Sequence, residues 1–410
     1  MYIQHLNLTN FRNYSRLALD LPPGIAILTG ENAQGKTNLL DALFYLSRTK
    51  SARTNADREL VNWLALEDDL PFVKLVARVC RGQESMQVEL ALLQNMPEAA
   101  STDATTWRKS IRINGVNTRA IDAVGAVNVV LFLPQDIEIV ASSPQLRRNY
   151  LDDTICQVDP HYNRELQRYG RVLTQRNHLL KALRGRSHDE SQLAFWNERL
   201  VKHGAYVSAR REQAIQHLGM LAERIHTQLT GDQERLVIEY RCSILSSKAP
   251  VAAWQLGLTA EAPASALPLP ERQAQLATAF SQRLQESQGR EVEQGMSLVG
   301  PHRDDMGFLS NGIDMTVYGS RGQQRTTALS LKLAEVEWVT VQKGDRPVLL
   351  LDDVLSELDG GRRNFLLAAI HTAQQVLMTT NDLSNYPPEF LNRAALWVVR
   401  GGCLEPFTQP

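Results

Sequence analysis

Eight consecutive residues, Gly30-Glu31-Asn32-Ala33-Gln34-Gly35-Lys36-Thr37, read G-x-x-x-x-G-K-[ST], a spacing suited to cradling the phosphates of a nucleoside triphosphate. Glycine reaches backbone conformations closed to residues with a Cβ, so successive N–H groups can turn inward on phosphate oxygens. Lys36 offers a compact cation to the β- and γ-phosphates, and Thr37 offers a hydroxyl to Mg²⁺. A second pair of groups, Asp352 and Asp353, ends the apolar run Pro347-Val348-Leu349-Leu350-Leu351. The first carboxylate would orient the metal and its waters, and the second would polarise an attacking water. Standing alone, such a pair reads better as solvated acids in a strand-to-helix turn. With a phosphate loop in the same chain, a metal-organising carboxylate is needed, and no other strand ends in acid as clearly.

The elements that must hold these groups show in the pattern around them. Ile25-Ala26-Ile27-Leu28 is a short apolar run, as expected of a strand buried on both faces. Beyond the loop, Leu39, Leu40, Leu43, Phe44 and Leu46 recur at helical spacing. Upstream, residues 3–9 and 17–21 are candidate strands around Phe11-Arg12-Asn13-Tyr14, with Pro22-Pro23-Gly24 as a turn. Residues 72–93 alternate at period two about Arg81-Gly82-Gln83, which predicts an antiparallel hairpin. Asn114-Gly115 and Asn311-Gly312 are further hairpin turns, and residues 129–133 form another apolar strand. From Ser142 onward the period becomes helical for about a hundred residues. One helix ends near Leu183, and a second over 190–229 would span about 60 Å if unbroken. A third is expected over 271–286. The first two, side by side, make a short antiparallel arm. Residues 97–106 read as a polar loop and 244–270 as a loose Ala/Pro/Ser-rich connection. The α/β pattern then returns, with a helix over 325–341.

Bulk properties exclude several classes. In 410 residues the formal net charge is −1, so no global basic field marks a nucleic-acid partner, and any such contact must be local. The four cysteines lie far apart without a C-x-x-C pair, which argues against structural zinc and suits a reducing cytosol. No apolar run reaches the roughly 18 residues of a membrane span, and the first residues lack the pattern of a secretory signal. Two local basic clusters stand out. Arg48, Lys50, Arg53 and Arg58 form either a solvated loop or a phosphate-contacting patch. Between 144 and 186, nine basic residues face four acids, a surplus of five. Arg164, Arg168 and Arg171 there share one helical face, which is either ordinary solvated surface or a contact for DNA phosphates.

The order of the motifs carries a resemblance. Ser320-Arg321-Gly322-Gln323 resembles the LSGGQ-type signature of ABC ATPases. Leu355-Ser356-Glu357-Leu358-Asp359 resembles their D-loop, and Gln135 their Q-loop glutamine. Lys36 and Ser320 lie 284 positions apart, as in SMC-like heads split by an inserted arm. Together with Phe11-Arg12-Asn13-Tyr14, Gly300-Pro301-His302-Arg303-Asp304-Asp305 and the run from Leu351 to Asp359, the chain resembles the RecF family of bacterial replication and repair proteins. The resemblance implies an α/β P-loop NTPase of ABC/SMC-head type with an inserted all-helical arm. The implied domains are an N-terminal ATPase lobe (1–140), the arm (141–290) and a C-terminal ATPase lobe (291–410).

It also implies ATP and Mg²⁺ as cofactors. Residues 30–37, Arg12 and Asn13 would line the nucleotide. Ser320, Gly322, Gln323 and Asp359 would reach it from the signature and D-loop. Gln135 would join Thr37 and Asp352 at the metal, with Lys36, Asp352, Asp353 and Gln135 as the catalytic set. Because a signature closes over the triphosphate of another subunit and this chain has one of each motif, an ATP-dependent homodimer is expected. Double-stranded and gapped DNA, RecO- and RecR-like mediators, recombinase loading, the SOS response, weak DNA-stimulated ATPase activity and a cytoplasmic location follow from the same resemblance.

Three departures bear on chemistry. Arg321 replaces the glycine of transporter signatures, as in RecF proteins. Asp353 is one methylene shorter than the usual glutamate, so hydrolysis is expected to be slow. Asn381 stands where the switch histidine of ABC ATPases falls and cannot carry a proton. His302 and Arg303 fit either a catalytic role or a buried turn. The competing classes are a transporter ATPase, whose signature follows the P-loop by about a hundred residues, another SMC-like repair ATPase with a zinc hook, which needs a C-x-x-C apex, and a small-molecule kinase, which needs no signature.

Overall fold

The computed structural model describes residues 1–54, 56–94, 107–184, 191–245 and 267–407. The polar stretch 97–106 and most of 244–270 lie outside the described residues. The chain opens with β1 (Tyr2–Phe11), β2 (Tyr14–Asp20), β3 (Gly24–Thr29) and α1 (Lys36–Arg48). Next come β4 (Phe72–Arg81), β5 (Glu84–Gln94), β6 (Trp107–Ile113), β7 (Val116–Thr118), α2 (Ala120–Ala123) and β8 (Val129–Phe132). Helices follow: α3 (Ile137–Ala141), α4 (Pro144–Val158), α5 (Pro160–Leu183) and α6 (Ser191–Leu229), then β9 (Leu236–Arg241) and α7 (Leu269–Gln294). The last third holds β10 (Asp305–Ser310), β11 (Ile313–Asp314), α8 (Arg321–Lys343), β12 (Val348–Asp352), α9 (Gly360–Ile370), β13 (Gln375–Thr380), α10 (Pro388–Leu391), β14 (Ala394–Arg400) and β15 (Cys403–Pro406).

Contacts divide the chain into two units, Met1–Pro134 with Glu335–Pro410, and Gln135–Ala334. The first unit contains two six-stranded sheets, β2-β1-β4-β5-β6-β7 and β15-β14-β3-β13-β12-β8. The former is antiparallel with one face inward: Val73, Leu75, Ala77 and Val79 of β4 are buried, as are Val88, Leu90 and Leu92 of β5. Its register runs from Phe72↔Leu93 to Arg81↔Glu84 across the expected turn. In the other sheet β3, β13, β12 and β8 pair in parallel, and every residue of β12 and β13 is buried. Such strands read as continuous apolar runs because both faces are covered. Helix α1 packs on strands of both sheets, and Leu39, Leu43 and Leu46 join one core with Ile3, Leu75, Leu131 and Leu350.

The second unit corrects two sequence expectations. The insertion is not all-helical, because Leu236-Val237-Ile238-Glu239-Tyr240 finds a partner in β10 and forms the sheet β11-β10-β9. Residues 291–334, expected in the C-terminal ATPase lobe, cluster with the arm for the same reason. The long helices are as the period suggested, with α6 covering Ser191–Leu229 and α7 extending beyond 286 to Gln294. Arg176 on α5 braces them. Its guanidinium donates to Asn197 Oδ1 of α6 (2.8 Å), Ser297 Oγ (2.7 Å) and Glu291 Oε2 of α7 (2.6 Å), and neither Arg176 nor Glu291 has exposed side-chain surface.

Breaking a buried pair from one side strands the other charge. Arg176→Met is therefore expected to destabilise the chain by about 3–5 kcal/mol in urea unfolding followed by circular dichroism, and Arg176→Met with Glu291→Leu to recover most of that loss. A cost below about 1 kcal/mol for the single change would remove the brace from the account.

Candidate nucleotide site

Parallel pairing places the loop after β3 beside the end of β12, with β13 between them. Across that gap Thr37 Oγ1 donates to Asp352 Oδ1 at 2.8 Å. Thr379, at the end of β13, donates to the same oxygen (2.7 Å) and accepts from the Asp353 N–H (3.0 Å). Residues more than three hundred positions apart thus meet as a strand-end cluster. Asp353 sits in the left-handed region at φ 51, a strained backbone for a non-glycine residue. Burial and the neighbouring Asp352 charge raise its carboxyl above the usual range, against the Ser356 hydroxyl and Lys36.

The loop itself is held in a glycine-dependent conformation around Lys36. Gly30 (φ 144) and Gly35 (φ 116) take conformations that a side chain resists, and a Cβ on them would lie 2.5 Å from Val399 O and from Asn13 Nδ2 respectively. Lys36 is buried, and its ammonium donates to Gly30 O (2.6 Å), Glu31 O (2.7 Å) and Asn381 Oδ1 (2.6 Å). Burial lowers its pKa, while Asp353 and Asp352 pull it back up. A desolvated cation at the start of α1 fits a phosphate chain. A threonine hydroxyl and a buried carboxylate fit Mg²⁺, which prefers one or two protein oxygens plus phosphate and water to a protein cage. Among the described residues no cluster of three His, Cys, Asp or Glu could hold a metal.

The tetrad before the loop serves as its scaffold. Asn13 Nδ2 donates to Gln34 O (2.9 Å), Tyr14 OH to Gly35 O (2.9 Å), and Asn38 Nδ2 to Asn13 Oδ1 (2.8 Å). Arg12 turns elsewhere, forking onto Asp41 Oδ2 through Nε (3.1 Å) and Nη2 (2.8 Å). From the far end of the chain, Gly401 N donates to Gln34 Oε1 (2.7 Å) and Gly402 N to Gln34 O (3.1 Å). Glu31, Asn32 and Ala33 are exposed at the loop's crest. Asp359 is exposed and caps α9 by accepting from Arg362 N (2.9 Å), a bond that holds its carboxyl below the usual range.

The remaining expected residues belong to the second unit. Ser320 and Gln323 form a reciprocal capping box at the start of α8: Gln323 N donates to Ser320 Oγ (3.3 Å) and Ser320 N to Gln323 Oε1 (3.1 Å). Gly322 is exposed in that first turn, and Gln135 is exposed in the turn Pro134–Asp136.

Residues 2–386 match the family described as RecF/RecN/SMC N terminal domain. The chain is 41% identical over 413 residues to the DNA replication and repair protein RecF of Herpetosiphon aurantiacus, covering 99% of this chain and 100% of that one. The chain belongs to the RecF family. RecF of Chloroflexus aurantiacus is likewise 41% identical, over 98% of this chain and 99% of the relative. A solved structure of the recombination mediator protein RecF-ATPrS in the RecFOR pathway superposes with a TM-score of 0.82 at 28% identity, covering 99% of this chain and 98% of that one. The fold is accordingly the ABC/SMC-head type of P-loop NTPase.

Within this RecF-family site, three contributors make contacts that the sequence did not assign to them. Arg53 Nη2 reaches Asp352 Oδ2 at 3.1 Å, so the cluster at 48–58 divides. Arg48 is buried beside Glu335 (3.7 Å), whereas Lys50 and Arg58 are exposed. Asn381 cross-links the loop by accepting from Lys36 and donating to Asn32 Oδ1 (2.9 Å). The C-terminal glycines clamp Gln34. Arg53 stood in the basic run and Asn381 at the switch-histidine position, whereas nothing in the sequence marked the two glycines. His302 resolves as part of a buried turn, with Nε2 donating to Ser297 O (3.0 Å) and Nδ1 accepting from Tyr169 OH (2.6 Å). Burial pushes its imidazole down to about 4. Arg303 donates to the same carbonyl at 3.1 Å.

A carboxyl whose folded pKa is raised contributes stability at low pH that is lost as pH rises through the folded value. Asp353→Asn removes that charge, and asparagine tolerates the left-handed backbone better. It is expected to raise Tm at pH 7 by about 1–3 °C, and by less at pH 3 where the native carboxyl is already protonated. A fall in Tm at pH 7 would count against a strained, desolvated Asp353.

Proposed function

We propose that this chain is an ATP-gated DNA-binding protein of replication and recombinational repair. The observation that carries the reading is the convergence of Lys36, Thr37 and Asp352 in one cradle, in a chain that matches RecF proteins from end to end. Lys36 and the loop N–H groups of residues 30–37 would hold the triphosphate. Thr37 and Asp352 would hold Mg²⁺, with Gln135 as a third contributor. The metal supplies charge neutralisation at the phosphates. Asp353 would orient the attacking water, and a carboxylate one methylene shorter than glutamate favours slow turnover. Asn13 keeps the loop in shape, and Arg12 steadies Asp41 beside it.

The signature of one copy, Ser320 to Gln323, would meet the triphosphate of a second, with Asp359 completing the contact. A ligand touching both copies favours their association by its differential affinity. The closed pair would grip double-stranded or gapped DNA, act with RecO- and RecR-like mediators in loading the recombinase and in the SOS response, and let go on hydrolysis. Such a protein works in the cytoplasm. No described helix is long and apolar enough to cross a membrane. For the DNA contact, Arg168 and Arg171 on α5 are exposed. The basic surplus of 144–186 is smaller at the surface than in the sequence, because Arg147 pairs with Asp305 and Arg176 with Glu291, both arginines being buried.

The decisive experiment measures binding to duplex, gapped and single-stranded DNA with and without ATP, comparing the natural chain with Lys36→Ala. The variant is expected to bind ATP about 10–100-fold more weakly, the worth of a charge-assisted contact, and to lose the ATP-dependent part of duplex and gapped-DNA binding. DNA binding indifferent to ATP in the natural chain would sink the reading.

Ser320→Arg should block nucleotide-driven self-association in sedimentation runs while leaving ATP binding to the single chain unchanged. An unchanged dimer fraction in this variant would exclude the signature from the interface.

A further inference from the structure

The capping box at Ser320 and Gln323 has an outer partner supplied by the helical insertion. Gln323 Nε2 donates to Glu234 Oε1 at 3.0 Å. The other carboxylate oxygen, Glu234 Oε2, accepts from Ser310 Oγ at the end of β10 (3.0 Å) and faces His226 Nε2 in the last turn of α6 (3.2 Å). His226 is fully buried, and its Nδ1 lies 3.1 Å from Ser330 Oγ on α8. One carboxylate between α6 and β9 therefore gathers α6, β10 and the first turn of α8.

The chemistry of the pair fixes more than a contact. An ionised carboxylate only accepts hydrogen bonds, whereas a glutamine amide has one accepting and one donating end. Glu234 can meet only the Nε2 end of Gln323, so the Oε1 end must face Ser320. There it takes the Ser320 N–H, while the Gln323 N–H occupies a lone pair of the Ser320 hydroxyl. The hydroxyl proton of Ser320 takes no part in the capping box. Without Glu234 the amide could rotate by half a turn, setting Nε2 against the Ser320 N–H, donor against donor.

We propose that Glu234 is the positioning residue of the signature: its carboxylate sets the Gln323 amide and, through it, the backbone and hydroxyl of Ser320 that meet the triphosphate of a second copy. The insertion thereby acts as the template of the signature as well as an arm. This rests on the reading that the signature completes a nucleotide site between two copies.

The test compares Glu234→Gln, Gln323→Ala, their combination, and the exchange Glu234→Gln with Gln323→Glu, all in the whole chain. Each is assayed for AMP-PNP–Mg²⁺ binding to the single chain and for AMP-PNP-driven self-association by sedimentation. Glu234→Gln is expected to bind the analogue as the natural chain does and to self-associate about tenfold more weakly, the worth of one charge-assisted hydrogen bond. In the Gln323→Ala background it should add little, since both changes break one linkage. The exchange places a donor at 234 and acceptors at 323, restoring both hydrogen bonds, and should return association to within about threefold of the natural value. It also serves where Glu234→Gln alone folds poorly. Unchanged association in Glu234→Gln, full additivity with Gln323→Ala, or no rescue by the exchange would each overturn the assignment. Failure of the natural chain to associate with AMP-PNP would overturn the dimer reading, and this inference with it.

Discussion

The hydrogen bond between Thr37 and Asp352 is the constraint on which the candidate nucleotide site depends. It joins the first residues of α1 to the last residue of β12, and it can form only if β3, β13 and β12 pair in parallel and in the observed register. A slip of one residue would turn every side chain of a strand to the opposite face. Here both faces are apolar, so register is set by the strand ends, where Thr379, Asp352 and Asp353 exchange hydrogen bonds. The polar cluster that could bind a metal is also what fixes the alignment of the strands carrying it.

Much of this was legible in the sequence, for identifiable reasons. The phosphate loop, the strand before it and the helix after it are local, and their glycines and apolar spacing state their conformation directly. The hairpins at Gly82, Asn114-Gly115 and Asn311-Gly312 carry turn chemistry that leaves few alternatives. What escaped was non-local. Nothing near Asn381 announces a partner for Lys36, and nothing near Gly401 and Gly402 announces Gln34. The strand β9 was hidden because a six-residue stretch in a mostly helical insertion has no period long enough to oppose its surroundings, and its partner β10 lies over sixty residues downstream.

Charge was the least legible property. Arg147 and Arg176 count toward a basic patch in the sequence but are consumed inside the second unit by Asp305 and Glu291. Gly300 to Asp305, conspicuous enough to suggest catalysis, is instead a hub of buried hydrogen bonds. Asp304 accepts from the Ser243 backbone (2.7 Å), Ser208 (3.1 Å) and Tyr240, and Arg147 forks onto Asp305. Dense polar sequence signals function and buried structure alike, because a buried charge demands partners as specific as those of a substrate.

Both units solve one problem in the same way. A short polar motif at a helix start is held from outside by residues distant in sequence: Gln34 and Lys36 by Gly401, Gly402 and Asn381, and Gln323 by Glu234. Such second partners cost the chain little, since each satisfies a polar group that would otherwise be desolvated alone. They also remove conformational freedom from the groups that would meet a triphosphate, and so reduce the ordering that binding must supply. Lys36 and Asp353 show the opposing pressure. Burial disfavours the charge on each, and the surrounding core must sustain both.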